Sequence, residues 1–317
     1  MKVIEHLRKA KGTLLSFEIL PPLKGKDIRS IYEGIDPLLE FKPSFINVTY
    51  HREEVIYKER GQGLLQKIRV RKRPGTVGIC AMIKAKYNID TVPHLICGGF
   101  TKEDTEDALI ELNFLGIDNV LALRGDAIKS ETNFIPEREG HAHAEDLVRQ
   151  IAGLNKGKYL HDEEQEAAPT DLCIGAACYP EKHAEALNLS TDIAYLRRKV
   201  DAGAEYLVTQ MFYDNAKYFR FVELCRTEGI NVPIIPGLKP LTTMKHIAFI
   251  PKTFGIDLPE AFAKELVKCR NDEDVKALGV EWSIAQTKEL IAKGAPCVHY
   301  YTMGKSSAVR SIVSEAF

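Results

Sequence analysis

One rhythm constrains this chain more than any other feature. Eight short apolar, β-branched runs recur, each closed by a polar residue and followed by a loop and a helical pattern. The runs are 13–20, 45–50, 91–97, 119–126, 171–179, 205–213, 232–238 and 296–303. Each is short and bounded by turn residues, so each reads as a buried strand. Helical patterns fall between them at 103–115, 143–154, 192–202, 217–228 and 272–293, and several stop at a glycine, as at Gly116, Gly203 and Gly229. Glycine takes the left-handed conformation that ends a helix without steric cost. Strands alternating with helices imply right-handed crossovers and a parallel sheet. Eight of them imply an α/β fold of the closed (β/α)8 TIM barrel kind, here with extra helices and two insertions. At 317 residues the chain is expected to be one barrel domain, 1–317, since barrels of about 250 residues or more are routinely single domains.

In such a barrel the chemistry sits where the strands end. The polar residues at those ends are Glu18, Thr49, His94, Arg124 with Asp126, Tyr179, Gln210, Lys239, and Tyr301 followed by Lys305, and they are expected to converge on one mouth. Glu18 interrupts an apolar strand just before Pro21-Pro22, and alternation places it with Ser16, opposite Phe17 and Ile19, pointing inward. Burial disfavours a carboxylate, so its pKa is expected above about 4.3, which suits a general acid; the competing reading is a Glu that pairs with an arginine. In 119–126 an apolar strand runs into Arg124-Gly125-Asp126: Gly125 lets the backbone approach a ligand, and Asp126 can accept hydrogen bonds from ring N–H groups. Tyr179, His183, Asp192, Arg198 and Lys199 form a cluster that would suit a phosphate-bearing nucleotide tail. Leu196 and Val200 make the core face of the same helix, which leaves Arg198 and Lys199 equally readable as solvated cations. Gly61-Gln62-Gly63 lacks the third glycine and the preceding strand of a dinucleotide fingerprint.

The 43 basic and 44 acidic residues leave a net charge of −1, so neither nucleic acid nor an anionic membrane is an expected partner and a small molecule is favoured. No stretch approaches the roughly 18 uncharged apolar residues of a membrane span. Residues 1–12 lack the apolar region of a secretory signal and read as a short amphipathic helix against the domain. Seven scattered cysteines without a CxxC read as reduced, buried thiols of a cytoplasmic protein. Two regions break the rhythm. In 51–91 the basic stretch Lys67–Arg73 before Pro74-Gly75 reads as the solvated end of a helix. In 129–170, His141, His143 and the acidic run 162–166 match no metal spacing, so no metal is expected and a solvated excursion is.

Ser16-Phe17-Glu18 ahead of Pro21-Pro22, Val48-Thr49-Tyr50, Pro93-His94-Leu95 with Cys97, and Leu123-Arg124-Gly125-Asp126 form an ordered set. It continues with Tyr179-Pro180-Glu181 and His183, Lys199 to Ala204, Thr209-Gln210 with Phe212, and Ile235-Pro236-Gly237. Together, over nearly the whole chain, these motifs resemble the methylenetetrahydrofolate reductase family. The resemblance implies a barrel with FAD that reduces 5,10-methylenetetrahydrofolate to 5-methyltetrahydrofolate with NADH or NADPH, by ping-pong hydride transfer. It also implies a supply of methyl groups for methionine synthesis, a bacterial-type catalytic module without the regulatory domain of eukaryotic relatives, and a homo-oligomer. By the same resemblance Glu18 matches the acid that protonates the folate bridge, and Asp126 the carboxylate beside the flavin pyrimidine edge and the pterin. Gln210 matches a folate ligand, and Met244 and Lys305 stand at substrate positions. Thr49, Tyr50, His94, Arg124, Gly125, Asp126, Tyr179, His183, Asp192, Arg198 and Lys199 match flavin contacts. The chain departs from the family at His51-Arg52, where relatives often have small residues, at Met244, where they place phenylalanine, and at Lys305, where they often carry arginine. Two other readings stay open: an FAD barrel resembling proline dehydrogenase, and a non-catalytic folate- or flavin-binding regulator.

Overall fold

All eight apolar runs form strands, because each can bury both faces only inside a layered sheet. The computed structural model describes residues 1–128, 131–161 and 167–317. Helix α1 (Val3–Lys9) leads into β1 (Leu14–Ile19), α2 (Arg29–Ile35), a 3-10 turn (Asp36–Phe41) and β2 (Phe45–Val48). A hairpin of β3 (Glu54–Glu59) and β4 (Leu65–Val70) follows, then α3 (Thr76–Tyr87), β5 (Asp90–Ile96), α4 (Lys102–Phe114) and β6 (Asn119–Leu123). Next come α5 (Ala144–Leu154), β7 (Cys173–Cys178), α6 (Leu189–Ala202), β8 (Tyr206–Thr209) and α7 (Asn215–Thr227). The chain continues through β9 (Ile234–Ile235), β10 (Gly237–Leu238), α8 (Met244–Phe254), α9 (Glu260–Leu266), α10 (Asp272–Ala292), β11 (Cys297–Tyr301) and α11 (Ser307–Ala316).

The main sheet runs β10-β11-β1-β2-β5-β6-β7-β8-β9, parallel throughout. Its two ends, β9 and β10, are halves of one run parted by Pro236, which has no N–H to give a ladder. The Pro236 carbonyl still accepts from the His299 amide at 2.9 Å, so the sheet closes into a TIM barrel whose seventh strand is broken at a single residue. Alternate side chains serve the two faces. Phe17, Ile19, Ile46, Val48, Ala122 and Leu207 meet the helices, while Phe45, Val92, Leu121, Cys173, Tyr206 and Cys297 fill the interior. Val3 and Ile4 of α1 join that interior cluster, and the Val3 amide donates to Asn119 Oδ1 at 2.7 Å at the start of β6. The first helix therefore plugs the lower end. Higher up the interior turns polar, with Ser16 Oγ and His299 Nδ1 2.9 Å apart and Asn47 Nδ2 and His94 Nε2 3.3 Å apart.

The 51–91 region departs from its sequence reading. Lys67–Arg73 does not end a helix: β4 pairs antiparallel with β3, and Gly61-Gln62-Gly63 makes the turn between them, each with positive φ. Ile68 and Val70 alternate with Lys67, Arg69 and Arg71, a period-two pattern that opposes Ile56 to Ile68 across the ladder. The cations find local partners: Arg69 on Glu137 at 3.2 Å, Lys72 on Glu54, and Arg73 on the Pro21 carbonyl. From Thr76 to Tyr87 the chain is the regular helix after the second barrel strand, so the true insertion is 51–75. In the second excursion, His141 Nε2 pairs with Gln150 at 2.5 Å; the acidic run 162–166 lies outside the described residues. Among the described residues the seven cysteines are free and all but Cys269 are buried. No described helix is long and apolar enough to cross a membrane.

Candidate active site

Where the parallel strands end, the barrel opens into a cavity of about 1070 Å³. That is at the top of the roughly 300–1,000 Å³ range of small-molecule sites. The cavity is walled by Glu18, Thr49, His94, Arg124 and Asp126 on one side of the ring of strands, and by Tyr179, Gln210, Lys239, Tyr301 and Lys305 on the other. The strand ends thus converge, as the barrel rule requires. Gly125, His183, Asp192, Arg198 and Lys199 line it as well. Two expected residues do not. Tyr50 turns aside to pack edge-on against Phe100, ring centroids 5.0 Å apart, and takes a hydrogen bond from Arg71 at 3.2 Å. Met244 opens α8 at the surface, its amide held by Asp272 at 2.7 Å.

Glu18 is buried and accepts a hydrogen bond from Thr49 Oγ1. His94 Nε2 lies 3.4 Å from Glu18 Oε2, and His299 Nε2 lies 3.7 Å from it. Burial alone pushes the carboxyl pKa up, but the imidazoles of His94 and His299 and the Thr49 hydroxyl outweigh it and hold the group at about 2. The expected rise is overturned because neighbours brought in from β2, β5 and β11 favour the charged form more than desolvation penalises it. His94 moves the other way: burial lowers its pKa, with Glu18 opposing. Two buried atoms in this group, Asn47 Oδ1 and His299 Nε2, have no hydrogen-bond partner among the described residues.

Across the mouth, Gly125 holds φ at 85°, and a Cβ there would stand 3.3 Å from Ile96. Arg124 grips Glu185 with two hydrogen bonds of 2.5 and 2.8 Å, and Arg198 pairs with Glu145 at 3.0 Å. Lys199 is drawn inward, donating to the Ala177 carbonyl at 3.0 Å, and burial lowers its pKa. Tyr179 meets His183 edge-on at 4.7 Å, and Asp192 accepts from the His183 amide at 2.7 Å. Gln210 Oε1 accepts from the Met211 amide at 3.0 Å.

Sequence reasoning missed Glu145, Glu185, His246 and Lys276, which also line the cavity. Glu185 follows His183 by two residues and extends a cluster already visible. Glu145, His246 and Lys276 arrive on helices, and no local pattern signals which turn of a helix reaches the mouth. His51, read only as a departure from a family pattern, lines the cavity too; its neighbour Arg52 leaves it for Glu131, with two bonds of 3.0 Å.

The family model "Methylenetetrahydrofolate reductase" matches residues 2–316. Methylenetetrahydrofolate reductase 1 of Schizosaccharomyces pombe is 32% identical over 300 residues, covering 94% of this chain and 45% of that protein. A probable methylenetetrahydrofolate reductase (NADH) of Oryza sativa subsp. japonica is 30% identical over 99% of this chain and 50% of its own length. The chain thus spans about half the length of these curated relatives. It covers 90% of the 5,10-methylenetetrahydrofolate reductase of Salmonella typhimurium, at 29% identity. Among solved structures, an uncharacterized protein from Clostridium thermocellum that binds two copies of 5-methyl-5,6,7,8-tetrahydrofolic acid shares the fold, with a TM-score of 0.59 and 14% identity over 99% of this chain and 98% of that one. By the match along its whole length, the chain belongs to the methylenetetrahydrofolate reductase family.

Proposed function

We propose that residues 1–317 act as one catalytic barrel that reduces 5,10-methylenetetrahydrofolate to 5-methyltetrahydrofolate, with NADH or NADPH as reductant and FAD as cofactor. The carrying observation is that Glu18, Asp126 and Gln210 meet in one cavity of a chain of this family. The Clostridium thermocellum protein supports a folate ligand for this fold. In this reading reductant and folate take turns at the same mouth, the enzyme is a cytoplasmic homo-oligomer, and its product feeds methionine synthesis.

The donor set fits FAD. Arg124, Arg198 and Lys199 are cations suited to a pyrophosphate, which would displace Glu185 and Glu145 from the first two. Gly125 takes the positive φ of the turn at the mouth, with Ile96 packed 3.3 Å from where a Cβ would stand. The remaining contacts of the reading are Thr49, His94, Tyr179, His183 and Asp192, all in the cavity wall, without Tyr50. When bound, FAD supplies two-electron hydride transfer between nicotinamide and folate. The chain's own residues do the rest. Asp126 and Gln210 accept from and orient the pterin edge, and Lys305 meets the carboxylate tail; Met244, outside the cavity, has no part in this reading. Glu18 handles the proton that opens the folate ring, a role worth about 10² to 10⁴ in rate.

The test uses purified protein and Glu18→Gln. We expect a yellow protein whose flavin is bleached by NADH in both forms, whereas reoxidation by methylenetetrahydrofolate is lost in the variant. A colourless wild type that oxidises no NADH ends the proposal. Normal folate turnover by Glu18→Gln removes Glu18 from the acid role.

A further inference from the structure

Arg124, Arg198 and Lys199, the cations at the β6, β7 and α6 side of the cavity, are already engaged by the chain itself. Arg124 makes a two-pronged pair with Glu185, Arg198 pairs with Glu145, and Lys199 donates to the Ala177 carbonyl. On the wall built from β10, α10 and the turn before α11, Lys239, Lys276 and Lys305 form no ion pair among the described residues. Carboxylate partners are thus confined to the first group. Its two guanidiniums are also braced by rings, Arg124 over Phe134 with 5.0 Å between guanidinium carbon and ring centroid, and Arg198 over Tyr195 at 4.6 Å. A cation held by an aromatic face keeps its place when a carboxylate swings away.

Both glutamates have somewhere else to go. Glu185 sits on the turn before α6 with its side chain about half exposed, so water takes the carboxylate when it lets go. Glu145 lies in the first turn of α5, where a negative charge suits the helix end, and its other oxygen is 3.9 Å from Arg149 one turn along. Pairs exposed to this degree are weak. A ligand that brings two linked phosphates to both arginines at once displaces them, whereas one small anion competes poorly against a carboxylate tethered to the same chain.

We propose that Glu185 and Glu145 are stand-ins for the phosphates of a dinucleotide cofactor: they neutralise Arg124 and Arg198 in the empty mouth, exclude single small anions, and must leave before a pyrophosphate binds. This rests on the FAD reading above. Only the fraction of molecules with both carboxylates turned away is ready to load, so that fraction scales the loading rate down and the apparent dissociation constant up. Once the arginines hold phosphate the glutamates stand aside, and release is independent of them.

The experiment mixes FAD with the flavin-free, full-length chain in a stopped-flow instrument and follows the change in flavin fluorescence. Wild type, Glu185→Gln, Glu145→Gln and the double variant are compared, with circular dichroism confirming that each is folded; glutamine keeps the shape and removes the charge. We expect each single variant to load about two- to fivefold faster than wild type and the double variant about tenfold faster. FAD release, measured on dilution of the loaded protein, is expected to be unchanged, an outcome that a packing role or a direct contact with the cofactor would not give. Inorganic pyrophosphate is expected to raise the unfolding midpoint of the flavin-free double variant and to leave that of the wild type in place. Variants that load no faster, a gain in affinity that comes from slower release, or a wild type stabilised by pyrophosphate as much as the double variant overturns the proposal. If wild type binds FAD and the variants match it, only this inference fails. A wild type that binds no FAD ends the FAD reading and this inference with it.

Discussion

Glu18 carries its charge because three side chains distant in sequence surround it, and that makes it a pH sensor of the fold. Its carboxyl titrates at about 2 in the native chain against an ordinary 4.5, so the contribution is fully present above about pH 4.5 and is lost as pH falls toward 2. His94, whose pKa burial lowers from 6.5, acts in the same direction, since protonating it below that value favours the unfolded chain. We expect the difference in unfolding free energy between wild type and Glu18→Gln to shrink on the order of 3 kcal/mol as pH drops from about 4.5 to 2, measured by denaturant titration. A difference that stays flat over this range would mean the native carboxyl is not held low. The inward direction of Glu18 was legible from strand alternation alone. The sign of its pKa was not, because His94, His299 and Thr49 reach it only once β5, β11 and β2 are in register.

At the scale of elements, close approaches decide where small residues are obligatory. In α10, a Cβ on Gly279 would stand 2.1 Å from the Leu241 carbonyl, on the loop that follows Lys239. Backbone cannot yield as a side chain tip can, so Gly279→Ala is expected to destabilise by about 1–3 kcal/mol despite alanine's better helix propensity. Gly78 in α3 has open space around its Cα, and Gly78→Ala is expected to stabilise by up to about 1 kcal/mol. Thermal or denaturant unfolding of the two variants gives opposite signs if the packing is as described. The hairpin of β3 and β4 shows the limit of reading elements locally. Seven residues rich in Lys and Arg before Pro74-Gly75 suit a helix end, yet Ile68 and Val70 also sit at strand spacing, and the pairing with Ile56 lies twelve residues upstream of Ile68. Likewise Pro236 breaks the seventh strand into two, while the ladder closes around it through a carbonyl.

For the whole molecule, the barrel interior is stoppered from below by α1. Val3 has no exposed surface and lies among Phe45, Cys173 and Tyr206, so Val3→Ala is expected to cost about 1–3 kcal/mol, readable as a lower unfolding midpoint. A surface-lying helix would instead tolerate the change within about 0.5 kcal/mol. By itself the sequence determined the eight strands, the barrel class, the inward line from Ser16 to Glu18 and the polar residue ending each strand. It did so because period, punctuation and alternation are local properties of the chain. Tertiary structure alone decided that Tyr50 and Met244 stay out of the cavity wall, that Glu185 and Glu145 occupy the cations opposite, and that Lys239 stands level with Glu18. Those outcomes depend on distances between residues far apart in the chain, and only closure of the barrel sets them.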